Sequence, residues 1–144
     1  MSYKFGSTSL KRLSTCNEDI QRVMKLAISR SPVDFGIAVG ERSIEEQQKL
    51  YAQGRTTEGM IVTRVDGVNK KSKHNYKPSQ AADIYAWVNG SASWDRDHLN
   101  VIAGVILSCA DELGVKLRWG GNWDGDGEVI SDQSFMDLPH YETI

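Results

Sequence analysis

Apolar positions recur at helical spacing over residues 17–30, where Ile20, Val23, Met24, Ala27 and Ile28 share one face. Asn17 stands where an N-cap belongs, and Ser31-Pro32 closes the segment. Val33, Phe35, Ile37 and Val39 then alternate with other residues, the period of a half-buried strand, which Gly40 stops. Ser43-Ile44-Glu45-Glu46 is a capping box, predicting a helix from 43 to about 53 with Gly54 beyond its end. Periodicity is lost over 54–80, a stretch with Gly54, Gly59, Gly67 and many lysines and arginines. It reads as a long loop holding at most a short hairpin, and a loop of that length in a small domain is usually functional. Asp83-Ile84-Tyr85-Ala86-Trp87-Val88 reads as a strand closed by the turn pair Asn89-Gly90.

The strongest helical pattern covers 95–113, with Leu99, Ile102, Ala103, Ile106, Ala110 and Leu113 as its stripe and Gly114 as its stop. Val115, Leu117 and Trp119 alternate in a further strand, a Gly- and Asp-rich loop spans 120–133, and 140–144 closes as a short strand. Helices and strands do not follow a strict βαβ order. The pattern therefore predicts an α+β fold, an antiparallel sheet with helices packed on one side. No internal repeat, coiled coil or low-complexity segment interrupts it.

Composition narrows the class. A chain of 144 residues fits the ~100–200 residues of one domain. Its formal net charge of −2 excludes a generally basic nucleic-acid or membrane-surface protein, and neither kind of partner is expected. No apolar run approaches the ~18 residues of a membrane span, and the first residues, Met1-Ser2-Tyr3-Lys4-Phe5-Gly6, lack the apolar stretch of a signal peptide. The expectation is a monomer held in the cytoplasm in which it is made. Cys16 and Cys109 fall in helix-like patterns and read as buried free thiols, with no CxxC pair to make a thiolate metal site.

Only His74, His98 and His140 carry imidazole. His98 sits beside Asp95 and Asp97 at the start of the strong helix and reads as a helix-flank residue. His74 ends the long loop, Asp83 opens an apolar strand that disfavours it, and His140 opens the last strand. A carboxylate so placed needs a partner. Two histidines and one carboxylate make a common zinc set, with water in the fourth position. The alternative is that each is a hydrogen-bonded loop residue.

The order of the motifs is more specific than any one of them. Ser72-x-His74, Ala81-x-Asp83 and Asp137-x-x-His140-x-Glu142 resemble the zinc peptidases of the D-Ala-D-Ala carboxypeptidase group, a set that also holds lysostaphin-type peptidases and the hedgehog signalling domain. Gly40-x-Arg42-Ser43 with Glu46 and Gln47 resembles that group's upstream motif. Residues 50–56, Ile61-Val62-Thr63 and 113–120 are similar to phage L-alanyl-D-glutamate endopeptidases, and the resemblance runs from about residue 3 to 144. One departure is the step of nine from His74 to Asp83, where the common motif has seven and a glycine.

The resemblance implies a hedgehog/D-Ala-D-Ala-peptidase-like fold and a single catalytic domain over 1–144, with no separate wall-binding module. It implies that His74, Asp83 and His140 bind Zn²⁺, which holds water and polarises the scissile carbonyl. Asp137 would be the general base, and Arg42 would donate to the oxyanion or a substrate carboxylate. Gln47 would be a weaker substrate contact, and Ser72 and Glu142 would orient the histidines. The substrate would be bacterial peptidoglycan, cut between L-Ala and D-Glu by an endolysin that waits in the host cytoplasm until the membrane is permeabilised. Cleavage at D-Ala, or a zinc-bearing module that binds without cutting, are the alternatives. Trp87, Trp119 and Trp123 read as core or as the lining of a glycopeptide groove. Asp124-Gly125-Asp126-Gly127-Glu128 reads either as a solvated acidic turn or as a regulatory Ca²⁺ loop with Asp124 and Asp126 as ligands.

Overall fold

Local capping signals fix the helix ends. The computed structural model describes residues 2–63, 65–123, 125 and 137–144. Helix α1 spans Ser7–Leu13 and α2 spans Glu18–Arg30, the latter capped by Asn17, whose side chain accepts from the Ile20 N–H. Strand β1 is Asp34–Val39. Helix α3, Ile44–Ala52, begins with both hydrogen bonds of the Ser43/Glu46 capping box. A single 3₁₀ turn, Lys73–Asn75, precedes β2, Ala81–Val88, and β3, Ser91–Ser93. Helix α4, Arg96–Leu113, runs from the Asp95 cap to Gly114, which takes the left-handed φ of 71° that ends helices at low strain. Strands β4, Leu117–Gly120, and β5, Asp137–Thr143, complete the order.

Among the described residues the sheet is antiparallel throughout, ordered β1-β2-β5-β4, with β3 pairing the far end of β2. Side chains alternate along β2, so Ala82, Ile84 and Ala86 face the core while Asp83, Tyr85 and Trp87 take the other face. Tyr141 and Trp119 continue the core face on β5 and β4. Helices α2 and α4 cover that face with Ile20, Val23, Met24, Ala27, Ile102 and Ile106, all fully buried. This is the α+β arrangement that the pattern predicts.

Several details differ from the sequence reading. Helix α1 has no apolar stripe to announce it, and Leu10 is exposed. It stands along the outer edge of β1, where Ser9 Oγ accepts from the Ile37 N–H and Arg12 donates to the Ile37 carbonyl. An otherwise open sheet edge is thereby closed. Cys16 lies beyond α1 in a bridge with Ser79 rather than within a helix, and both cysteines are buried free thiols. Asp83 is the third residue of β2 and His140 the fourth of β5, so neither opens its strand. Residues 54–80 form the long loop that the pattern predicts, and its described residues hold no hairpin, only an isolated Gln53–Thr57 bridge and the 3₁₀ turn.

Candidate metal centre and its cleft

Register brings the ligand candidates together. Asp83 pairs directly with His140 across β2 and β5, on the face away from α2 and α4. The His74 turn delivers its ring to the same point. His74 Nε2 lies 3.1 Å and His140 Nδ1 3.0 Å from Asp83 Oδ1, and one ligand atom from each residue falls within 4.8 Å of the others. The opposite ring nitrogens are engaged. His74 Nδ1 is 2.7 Å from the Gly40 carbonyl, and His140 Nε2 is 2.8 Å from Glu142 Oε1. An acceptor behind each ring holds the proton of its outer nitrogen, so that the inner nitrogen faces the point shared with Asp83 and would give its lone pair to a metal bound there. Two imidazole nitrogens and a carboxylate oxygen on one point fit a divalent metal.

Sequence reasoning assigned the orienting role to Ser72 and Glu142. Glu142 takes it. Ser72 instead caps the 3₁₀ turn, its Oγ accepting from the His74 backbone N–H, and the group behind the His74 ring is the Gly40 carbonyl. A backbone acceptor leaves no mark in a residue motif. Its position is nonetheless set by Gly40 being glycine, since a Cβ there would collide with Thr15 and the Arg12 carbonyl.

Arg42 reaches Asp83 Oδ2 at 3.6 Å and donates to Gln47 Oε1 at 3.0 Å. The Arg42 N–H also donates to the His74 carbonyl, tying the two segments together. Gln47 is completely buried, and its amide nitrogen donates to Thr63 Oγ1 and the Val65 carbonyl. The expectation that Gln47 contacts substrate is corrected on that ground: it is a strut between Arg42 and the loop. The long His74–Asp83 step is absorbed by Ser79, which bonds through its backbone to Thr15 and Asn17 and through its hydroxyl to the Gly40 and Ala81 carbonyls. The extra length is pinned against the α1–α2 junction.

His74, Asp83, His140 and Arg42 line a cleft of about 850 Å³ whose wall also includes Asp137, Trp94, Trp123 and the cations Lys70, Lys71, Lys73 and Arg118. The Trp123 ring lies 5.5 Å from that of His140. Trp119 is core, its indole N–H donating to the Leu138 carbonyl, and Trp87 is exposed outside the cleft. His98 meets Ser93 Oγ at 2.8 Å, away from the centre. Asp137 starts β5 opposite Gly120, where a Cβ would collide with the Asp137 carbonyl, so strand pairing positions it. Asp124 and Asp126, the calcium candidates, lie outside the described residues.

Charge in the cleft is strongly coupled. Burial opposes the Asp83 carboxylate, but the two histidines outweigh it and hold its pKa well below the usual carboxylate range. Burial also opposes His140 protonation, yet hydrogen bonds to Asp83 and Glu142 push its pKa up to about 10. Asp137 is raised, first by burial and then by the Asp83 charge, against the pull of His140, His74 and Arg42.

The profile of a family described as "Phage L-alanyl-D-glutamate peptidase" matches residues 1–144. The chain belongs to this family. Within it, the L-alanyl-D-glutamate peptidase of Escherichia phage T5 is 30% identical over the full length of both chains. The peptidoglycan L-alanyl-D-glutamate endopeptidase CwlK of Bacillus subtilis is 35% identical over 84% of this chain and 67% of its own. Among solved structures, the Serratia marcescens L-Ala D-Glu endopeptidase ChiX superposes with a TM-score of 0.73 at 25% identity, covering 98% of this chain and 90% of that one. The chain and its fold therefore belong to one peptidase family. No helix among the described residues is long and apolar enough to cross a membrane.

Proposed function

We propose that this protein hydrolyses the L-Ala–D-Glu bond of peptidoglycan stem peptides, with His74, Asp83 and His140 holding a zinc ion. The observation that carries the reading is the convergence of two backed imidazoles on Asp83 in an open cleft. A nitrogen-rich set of three protein ligands is the pattern of catalytic zinc. When bound, the metal supplies a Lewis acid for the scissile carbonyl and lowers the pKa of water.

The chain's own groups carry the rest. Asp137, with its raised pKa, accepts the proton of the attacking water and returns it to the leaving amine. Arg42, held by Gln47, offers guanidinium N–H donors to the developing oxyanion or to a substrate carboxylate. Glu142 holds the His140 ring, and the Gly40 carbonyl holds that of His74.

Digestion of purified peptidoglycan with and without a chelator, read by mass spectrometry, tests the reading. New N-terminal D-Glu that disappears with chelator is expected, and release of D-Ala instead would overturn it. Elemental analysis should find about one zinc per chain.

A further inference from the structure

The face of β2 that carries Asp83 continues, two residues at a time, into Tyr85 and Trp87. Trp94, on the cleft wall, joins them from beyond β3. The Tyr85 ring centroid lies 6.2 Å from that of Trp94 and 6.5 Å from that of Trp87. Three rings thus form a strip that starts at the cleft and runs outward along the sheet. Trp87 is 45% exposed and Trp94 56%.

The strip is held in place. Gly36 pairs opposite Tyr85, and a Cβ there would strike the ring's Cζ and hydroxyl, so Tyr85 lies across β1. Trp94 sits between Ser93 and the Asp95 cap, whose N–H donates to Ser93 Oγ. Large rings left in water on one face, continuous with a binding cleft, mark a ligand surface and not core packing.

We propose that Tyr85, Trp94 and Trp87 form a subsite for the glycan strand of peptidoglycan, stacking on the apolar faces of its β-1,4-linked N-acetylhexosamines. The proposal rests on the peptidase reading above. L-Ala is the first residue of the stem and is joined through a lactyl group to the sugar. A peptidase that cuts after that L-Ala must hold the sugar one residue from its metal centre. An uncharged aromatic strip reaching the cleft suits the sugar, which leaves the stem's carboxylates to the cleft's cations Lys70, Lys71, Lys73 and Arg118.

Chitotetraose, titrated into the metal-loaded protein and followed by the indole NMR signals, tests the subsite without catalysis. It should perturb Trp87 and Trp94. Trp87→Ala should bind about tenfold more weakly, the size of one lost ring contact, and Trp87→Phe should recover part of the loss. On intact sacculi Trp87→Ala should lose a similar factor in kcat/KM, while hydrolysis of a sugar-free stem peptide stays unchanged. Unmoved indole signals, or equal losses on sacculi and free peptide, would overturn the subsite. Failure of the peptidase reading shows differently: the wild-type protein leaves the free peptide uncut while still binding chitotetraose through these rings.

Discussion

His140 uses both ring nitrogens, one facing Asp83 and one facing Glu142. Removing the second should loosen the first. Glu142→Ala is expected to weaken metal binding ~10–100-fold, measured by competition with a chromophoric chelator. The His140 pKa, pushed up to about 10 in the metal-free protein, gives a pH dependence with a definite sign. At neutral pH the ring is protonated, so metal entry must displace a proton and affinity must fall as pH falls. Calorimetric titration in buffers of different ionisation enthalpy should show that release. In the metal-free fold, the raised His140 pKa contributes stability below its unfolded value and loses it as pH rises through about 10. Asp83, depressed, contributes above the ordinary carboxylate value and loses it as pH falls. Thermal melts of the metal-free protein should therefore peak between those limits. Asp137→Asn should keep its metal and lose ~10²–10⁴-fold in rate, and normal rates would remove it as the base. The ligand types and their order were legible in the sequence because chemistry restricts them to few residues. The Gly40 carbonyl and the strut role of Gln47 were not, because each depends on a long-range contact that side-chain identity does not encode.

Helices with their own capping chemistry were legible to within a residue or two, as Asn17 and Ser43 show, while α4 was legible from its apolar stripe and Gly114. The cap signals are local hydrogen bonds. Asp95 accepts from the Asp97 N–H at the head of α4, so Asp95→Ala should destabilise the protein by ~0.5–2 kcal/mol in denaturant unfolding without touching the metal ligands. Helix α1 escaped notice because its support comes from bonds to β1, some 25 residues away. Strand β3 escaped because Ser-Ala-Ser has no alternation to read. The starts of β2 and β5 came late in the sequence reading for a related reason. Ala81 and Asp137 are poor strand formers, made strand by partners on neighbouring strands of the sheet.

At the scale of the whole molecule, a metal bound at the junction of β2, β5 and the His74 turn ties together segments far apart in sequence. Stripping it should lower the melting temperature, because bound metal adds stability that grows with its free concentration and reaches about 2.7 kcal/mol at a hundredfold excess over Kd. The thiols report the same integrity. Burial pushes Cys16 up to about 12 and raises Cys109, so neither should react with a thiol reagent at pH 8 until the protein unfolds. The alternation along β2 has a wider consequence. Core residues and Asp83 share one strand on opposite faces, and a slip of one residue would exchange them. Asp83 meets His140 across a separation of 57 residues only in the native register. Metal capture at the proposed site would therefore be a proofreading readout of folding: a chain whose β2 and β5 have mispaired would have nowhere to bind the ion, and would remain inert toward its substrate.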